Sequence, residues 1–135
     1  MWTEEDIQLV PVEWLKAHEE IKIKPRDKLL DMTIRWGGFT KPILVDVHTG
    51  ALLDGHHRLS VAKKLGLKLI PAICLDYLKS ELISLELWPN ANFESINKSD
   101  VIEMCLSNEL YPPKTTKHVV SYDLPPIFVT LEELA

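Results

Sequence analysis

The side chains best equipped for chemistry sit in a run at the middle of the chain, Asp54-Gly55-His56-His57-Arg58, directly after the apolar Ala51-Leu52-Leu53. Asp-Gly is a turn signal, and Leu59, Ala62 and Leu65 then recur at the three-residue spacing of an amphipathic helix that Gly66 stops. A strand that turns into a helix in this way aims unpaired backbone N–H groups outward at the helix N-terminus. The partial positive charge there favours an anion. The cations His57 and Arg58 gain nothing from the dipole in that first turn, so they are either there for a ligand or, in the structural alternative, cap a surface helix and pair with nearby acids.

Two further polar clusters flank this one. His18-Glu19-Glu20 offers carboxylates able to act as a base, and Thr115-Thr116-Lys117-His118 offers hydroxyls and cations of the kind that meet phosphate oxygens. A solvated acidic face and an ordinary loop after Pro112-Pro113 are the structural alternatives for these two. Taken together, the three clusters hold a base, an anion cradle and charge-neutralising donors. Phosphoryl transfer needs those parts, because it depends on positioning and charge stabilisation more than on covalent chemistry by the protein.

Other chemistries lack their residues. The five histidines include no helical i,i+4 pair, and the adjacent His56 and His57 would point apart, which speaks against a structural zinc site. No glycine-rich P-loop is present, and Cys74 and Cys105 lie in apolar surroundings far from the histidines, as buried free thiols of a reducing compartment do. The net charge of −5 argues against a basic nucleic-acid-binding face. With no signal peptide at the acidic start and no run long enough to span a membrane, a cytoplasmic protein is expected.

The elements that must position these clusters follow from the apolar pattern. At 135 residues, 46% hydrophobic and 26% charged, the chain fits a single domain over 1–135 with a proper core. Ile7–Val10 reads as a first strand, followed by a helical turn over Pro11–Leu15. A helix opened by Pro25 runs to Trp36, with Leu29, Leu30, Met32 and Ile34 inward and Gly37-Gly38 as its stop. Pro42–Val47 and Ala51–Leu53 pair across the His48-Thr49-Gly50 turn, and Leu67–Tyr77 is apolar enough for a central strand. Leu82–Leu87 is another strand, ending at Trp88-Pro89, and Asn90–Ser95 is a loop. A helix over Ser99–Glu109 is capped by Ser99 and buries Ile102, Cys105, Leu106 and Leu110. Ile127–Val129 and Thr130–Leu134 close the chain as strand and turn. The sum is an α/β (α+β) fold, a small mixed sheet flanked by helices.

On these residues the chain resembles the ParB/sulfiredoxin-like superfamily. Asp54 to Arg58, preceded by Pro42-Ile43-Leu44-Val45-Asp46 and the Thr49-Gly50 turn, matches the superfamily motif. With His18-Glu19 before it and Pro112 to His118 after it, the set resembles the free serine kinase branch from Leu9 to His118. The resemblance implies phosphorylation of the free L-serine hydroxyl to O-phospho-L-serine, with ADP or ATP and Mg2+. It implies Glu19 as the catalytic carboxylate, with Glu20 beside it as the other candidate, and Asp54 as the acid near metal or hydroxyl. Gly55, His56, His57 and Arg58 would form the phosphate cradle, and Thr115, Thr116, Lys117 and His118 a second wall for phosphate or amino acid. Trp88 and Glu20 would line the serine pocket, and no dedicated protein metal site is implied.

The departures from the family pattern narrow this reading. Sulfiredoxins carry a cysteine where this chain has His56, so sulfinic-acid reduction is excluded. Partition ParB proteins carry further DNA-binding and dimerisation domains, for which there is no room after Tyr77. Lys117 stands where the kinase-like pattern has arginine and so loses a bidentate fork, and the chain is short for the kinase branch. The alternative is a ParB-like nucleotide- or DNA-binding module, or a nuclease on the same fold, without kinase activity; a simple binding module needs neither a base nor an amino-acid pocket. Free L-serine and a nucleotide are thus the expected partners, ahead of nucleic acid and without a membrane, and the oligomeric state is left open.

Overall fold

The structure is a computed structural model and describes residues 1–89, 91 and 93–135. Its centre is a four-stranded sheet in the order β1-β5-β3-β4, built from β1 (Gln8–Pro11), β3 (Ile43–Asp46), β4 (Leu52–Asp54) and β5 (Leu69–Leu75). β5 pairs antiparallel with β1 and parallel with β3, and β4 returns antiparallel along β3, which makes the sheet mixed. β5 is therefore central, as its unbroken apolar run requires. Two-stranded pairs join β2 (Gly38–Phe39) to β8 (Val129–Thr130) and β6 (Ile83–Leu87) to β7 (Thr116–Val120).

Alternation along the strands sends side chains to two cores. Ile43, Val45, Leu52, Ile70 and Ala72 enter one, with Leu29 and Leu30 of α1 (Ile23–Trp36) and Leu59 and Ala62 of α2 (His56–Lys64). Leu44, Leu53 and Ile73 enter the other, against Ile83 of β6 and Val101 and Cys105 of α3 (Lys98–Ser107). A short helix, α4 (Leu131–Leu134), follows β8 and buries Leu134.

Several boundaries differ from the sequence reading, each for a local reason. α1 begins at Ile23, so Pro25 is its third residue. The missing proline N–H falls in the first turn, where no intrahelical partner exists anyway. The helix then turns Arg26, Leu29, Leu30 and Thr33 inward, and Ile34 is 54% exposed rather than buried. In α3 the N-cap is Asn97, not Ser99: the Asn97 side chain accepts from the Asp100 amide at 2.9 Å, and the Asn97 amide donates to the Asp100 carboxylate at 2.9 Å. Cys105 is buried and Ile102 packs on the core as expected, with Val101 buried beside them, while Leu106 and Leu110 are exposed. Thr116-Lys117-His118, read as part of a polar cluster beyond a helix, begins strand β7. The expected loop over Asn90–Ser95 includes Asn90 and Asn92, which lie outside the described residues.

Candidate active site

The site forms where β4 ends and α2 begins. Gly55 makes the turn at a φ of 111°, and a Cβ there would lie 2.5 Å from Ile43 Cγ2, so neither the backbone angle nor the space admits a side chain. The amides of His56, His57 and Arg58 open α2 without intrahelical partners, and Gly55 brings no side chain to cap them. They border a cavity of about 240 Å³ lined by Glu19, Glu20, Leu29, Asp54, Gly55, His56, His57 and Arg58. Arg58 is anchored by a long hydrogen bond of 3.4 Å from Nη1 to the Pro42 carbonyl; burial draws its pKa down and the neighbouring Asp54 opposes this.

The segment bearing Glu19 is laid along the edge of β4 and clamped from both sides. Lys16 bridges Ala51, just before β4, through its amide to Gly50 O at 2.9 Å and its carbonyl to the Leu52 amide at 2.8 Å. Two residues on, the His18 amide donates to His56 Nε2 at 3.2 Å, and the Lys22 amide donates to His57 Nε2 at 3.1 Å. The two histidines point apart, as adjacent residues at a helix start must, and each presents an acceptor nitrogen to the backbone of the segment that carries the acids. On the far side Tyr111 takes up the segment, its amide to His18 O at 2.7 Å and its carbonyl from the Glu20 amide at 2.8 Å.

Glu19 is held at its tip. Oε1 accepts the backbone amides of Thr115 and Thr116, both at 2.8 Å, and lies 3.3 Å from Thr116 Oγ1. Among the described residues Oε2 has no donor, and Glu19 borders the cavity. This carboxylate is thus fixed in place by peptide groups while one oxygen stays available. Glu20 is exposed and shares the cavity rim.

Behind the cavity His18 is buried, with the half-buried His56 and His118 packed on it. His18 is 1% exposed, with Nδ1 2.9 Å from Leu52 O and Nε2 2.9 Å from Thr116 Oγ1. Its ring packs edge-on against those of His56 and His118 at 4.5 and 5.7 Å. Burial pushes His18 down to about 4 against its Leu52 hydrogen bond. Burial, with the neighbouring histidines adding to it, drives His56 well below its ordinary value. Burial, with His18 and Lys98 adding, takes His118 down to about 3. All three are neutral near pH 7.

The sequence-derived candidates thus fall into two groups. Glu19, Glu20, Asp54, Gly55, His56, His57 and Arg58 share one cavity. Thr115 and Thr116 reach it through their amides on Glu19. Lys117, His118 and Trp88 do not line it: His118 turns inward onto the Tyr77 hydroxyl at 2.7 Å, and Lys117 is exposed with its ammonium 5.2 Å from the Trp88 ring centre. The Trp88 indole N–H donates to Thr116 O at 3.0 Å, which braces the start of β7. Tyr77 and the backbone of Tyr111 were not singled out in the sequence; a lone tyrosine ending an apolar strand and a peptide group carry no type-specific signal. Among the described residues no cluster of three or more His, Cys, Asp or Glu side chains is arranged to hold a metal ion.

No family model matches the chain. An ATP-dependent L-serine kinase of Staphylothermus marinus is 37% identical over 94 residues, which cover 67% of this chain and 37% of that kinase. An ADP-dependent L-serine kinase of Thermococcus kodakarensis is 30% identical over 81 residues, 57% of this chain and 34% of the relative. The chain therefore spans little more than a third of the curated relatives it matches. A solved free serine kinase in complex with AMP superposes with a TM-score of 0.85 at 20% identity, over 96% of this chain and 94% of that one. In fold the chain matches the free serine kinases, and in sequence it is related to the L-serine kinases.

Proposed function

We propose that the chain is a phosphotransferase that moves a phosphoryl group from ADP or ATP to the hydroxyl of free L-serine. The observation that carries this reading is Glu19: a carboxylate pinned through one oxygen by two amides, at the rim of a cavity whose other wall is an uncapped helix N-terminus. A binding module has no need of a fixed base beside an anion cradle. The relatives named above, one ATP-dependent and one ADP-dependent, support the substrate and both donors.

In this reading the transferred phosphate lies against the amides at the start of α2, with Arg58 supplying charge. The serine hydroxyl attacks phosphorus and gives its proton to Glu19, and the nucleotide leaves one phosphate shorter. Mg2+ is usually held by one or two carboxylates together with substrate phosphates, and the exposed Asp54 suits that role. When bound, it would neutralise phosphate charge. Thr115 and Thr116 act through their amides as positioning groups for the base.

The test is phosphorus NMR of the purified protein with Mg2+, L-serine and either nucleotide. An O-phosphoserine resonance is expected, with AMP or ADP naming the donor. Glu19→Gln keeps an acceptor oxygen for the two amides but removes the base, so turnover should fall by about 10²-fold or more with nucleotide affinity nearly unchanged. Nucleotide binding without product from either donor would overturn the kinase reading, and a salt-dependent shift of DNA would then favour the binding-module alternative.

A further inference from the structure

His18 is a buried titratable group with no part in the steps above, and its two hydrogen bonds determine where its protons lie. Leu52 O can only accept, so His18 Nδ1, 2.9 Å away, carries a hydrogen. No carboxylate is hydrogen-bonded to the ring; the groups that face it are His56 from α2, His118 from β7 and the Tyr111 ring at 6.3 Å, with the Tyr77 hydroxyl behind His118. The Leu52 hydrogen bond alone favours a second proton, and burial outweighs it. Nε2 is then an acceptor, and its partner at 2.9 Å, Thr116 Oγ1, must donate to it. A hydroxyl has one proton to give. Given to His18, it is withheld from Glu19 Oε1, the longer contact at 3.3 Å.

We propose that His18 is a positioning residue for the base: by taking the Thr116 hydroxyl proton it limits Glu19 Oε1 to two amide donors and keeps that carboxylate basic enough to accept the serine proton. This rests on the reading of Glu19 as the base. Each donor to an ionised carboxylate favours the charged form and so weakens it as a base. Two donors fix the position of Glu19; a third would weaken it further without adding to that. The other titratable and charged residues on the wall of the cavity that Glu19 borders are Glu20, Asp54, His56, His57 and Arg58. A proton added to His18 Nε2 would reverse the Thr116 hydroxyl and hand it to Glu19.

Two measurements test this. Long-range proton–nitrogen correlation spectra of the wild-type protein at pH 7 should show His18 as the Nδ1–H tautomer; the Nε2–H tautomer or a doubly protonated ring would overturn the proposal, with no variant needed. The second follows the Glu19 side-chain carboxyl by carbon NMR, assigned with Glu19→Gln, alongside the pH–rate profile of serine phosphorylation. In His18→Phe the freed Thr116 hydroxyl turns to Glu19, so the carboxyl midpoint and the acid limb of the profile should both fall by about half to one pH unit. In His18→Phe/Thr116→Val both should return toward wild type. Folded variants with an unmoved midpoint, or a double variant that does not restore it, would reduce His18 to a packing role. If the midpoints move as stated but no O-phosphoserine forms, the coupling of His18 to Glu19 stands and the assignment of Glu19 as a kinase base falls.

Discussion

Glu19 is held by peptide N–H groups rather than by a cation, and this separates two substitutions that look alike. Glu19→Gln still offers an oxygen to the amides of Thr115 and Thr116, both buried residues, whereas Glu19→Ala leaves two donors unpaired at a cost of about 1–3 kcal/mol each. Urea unfolding should therefore find Glu19→Gln near wild type and Glu19→Ala clearly less stable, although both lose turnover. Gly55→Ala should cost about 2–4 kcal/mol through left-handed backbone strain and the clash with Ile43, read as a lower melting temperature. Arg58→Ala should weaken nucleotide binding by roughly tenfold or more, the worth of one charge-assisted contact, measured by calorimetry. At this scale the sequence was most legible where residue type carries the chemistry. Asp54-Gly55 announces its turn, and His18-Glu19 announces the carboxylate that the structure sets at the cavity rim. The partners of that carboxylate are main-chain amides, which any residue possesses, so Thr115 and Thr116 stood out for hydroxyls when it is their amides that hold Glu19.

Among the elements, α2 does the organising. Its first turn presents amides to the cavity, while the rings of His56 and His57 reach back to the amides of His18 and Lys22. His57→Ala should free the start of α1 and the Glu20–Lys22 stretch, seen as faster amide exchange at Lys22 and its neighbours with the sheet unaffected. The helix faces were legible wherever the apolar spacing was the whole story, as in α2, where Leu59 and Ala62 are buried. They were misread where a polar group competes for the interior. Arg26 is 8% exposed because its guanidinium bonds Ser60 Oγ at 2.9 Å across to α2, and accommodating it turns Ile34 outward. In α3, Asn97 and Asp100 cap each other, and the buried stripe runs through Val101 and Cys105 rather than on to Leu106 and Leu110. β7 was hidden because Thr, Lys and His at its start read as a loop; its strand character comes from five paired positions with β6, far away in sequence.

The molecule as a whole stores its pH response in the histidine group. His18 and His118 are held neutral when folded, with pKa values of about 4 and 3 against an unfolded value near 6.5. Below pH 6.5 the unfolded chain binds protons that the folded chain refuses. Stability is therefore complete above that pH and declines as the pH falls toward the folded values. At pH 5 the two should together remove about 2–4 kcal/mol, with His56 acting in the same direction. The midpoint of urea unfolding should move down between pH 7 and pH 5, and less so in His118→Gln than in wild type. The mixed sheet was readable from apolar runs alone; its division into two cores was not, though alternation on β3 and β5 addresses both faces. The meeting of the Thr115 and Thr116 amides with Glu19 was not, since it follows from packing the β6–β7 pair against the sheet.

That packing makes the hold on the proposed base a product of distant meetings: Glu19 joins Thr115 and Thr116 across 96 and 97 positions, by bonds that belong to no sheet ladder. The β6–β7 pair can lift away from the sheet without breaking a strand of it, and local openings of this kind lie below global unfolding in free energy. Hydrogen exchange at the Thr115 and Thr116 amides then becomes a gauge of how often Glu19 is let go. In mild urea those two amides should lose protection before Ile70 or Ala72 of β5, and serine phosphorylation should decline in step with them while the circular dichroism of the sheet is still intact. The chemistry would then be lost at a lower threshold than the fold, and the gap between the two would measure how firmly one arm of the molecule is docked.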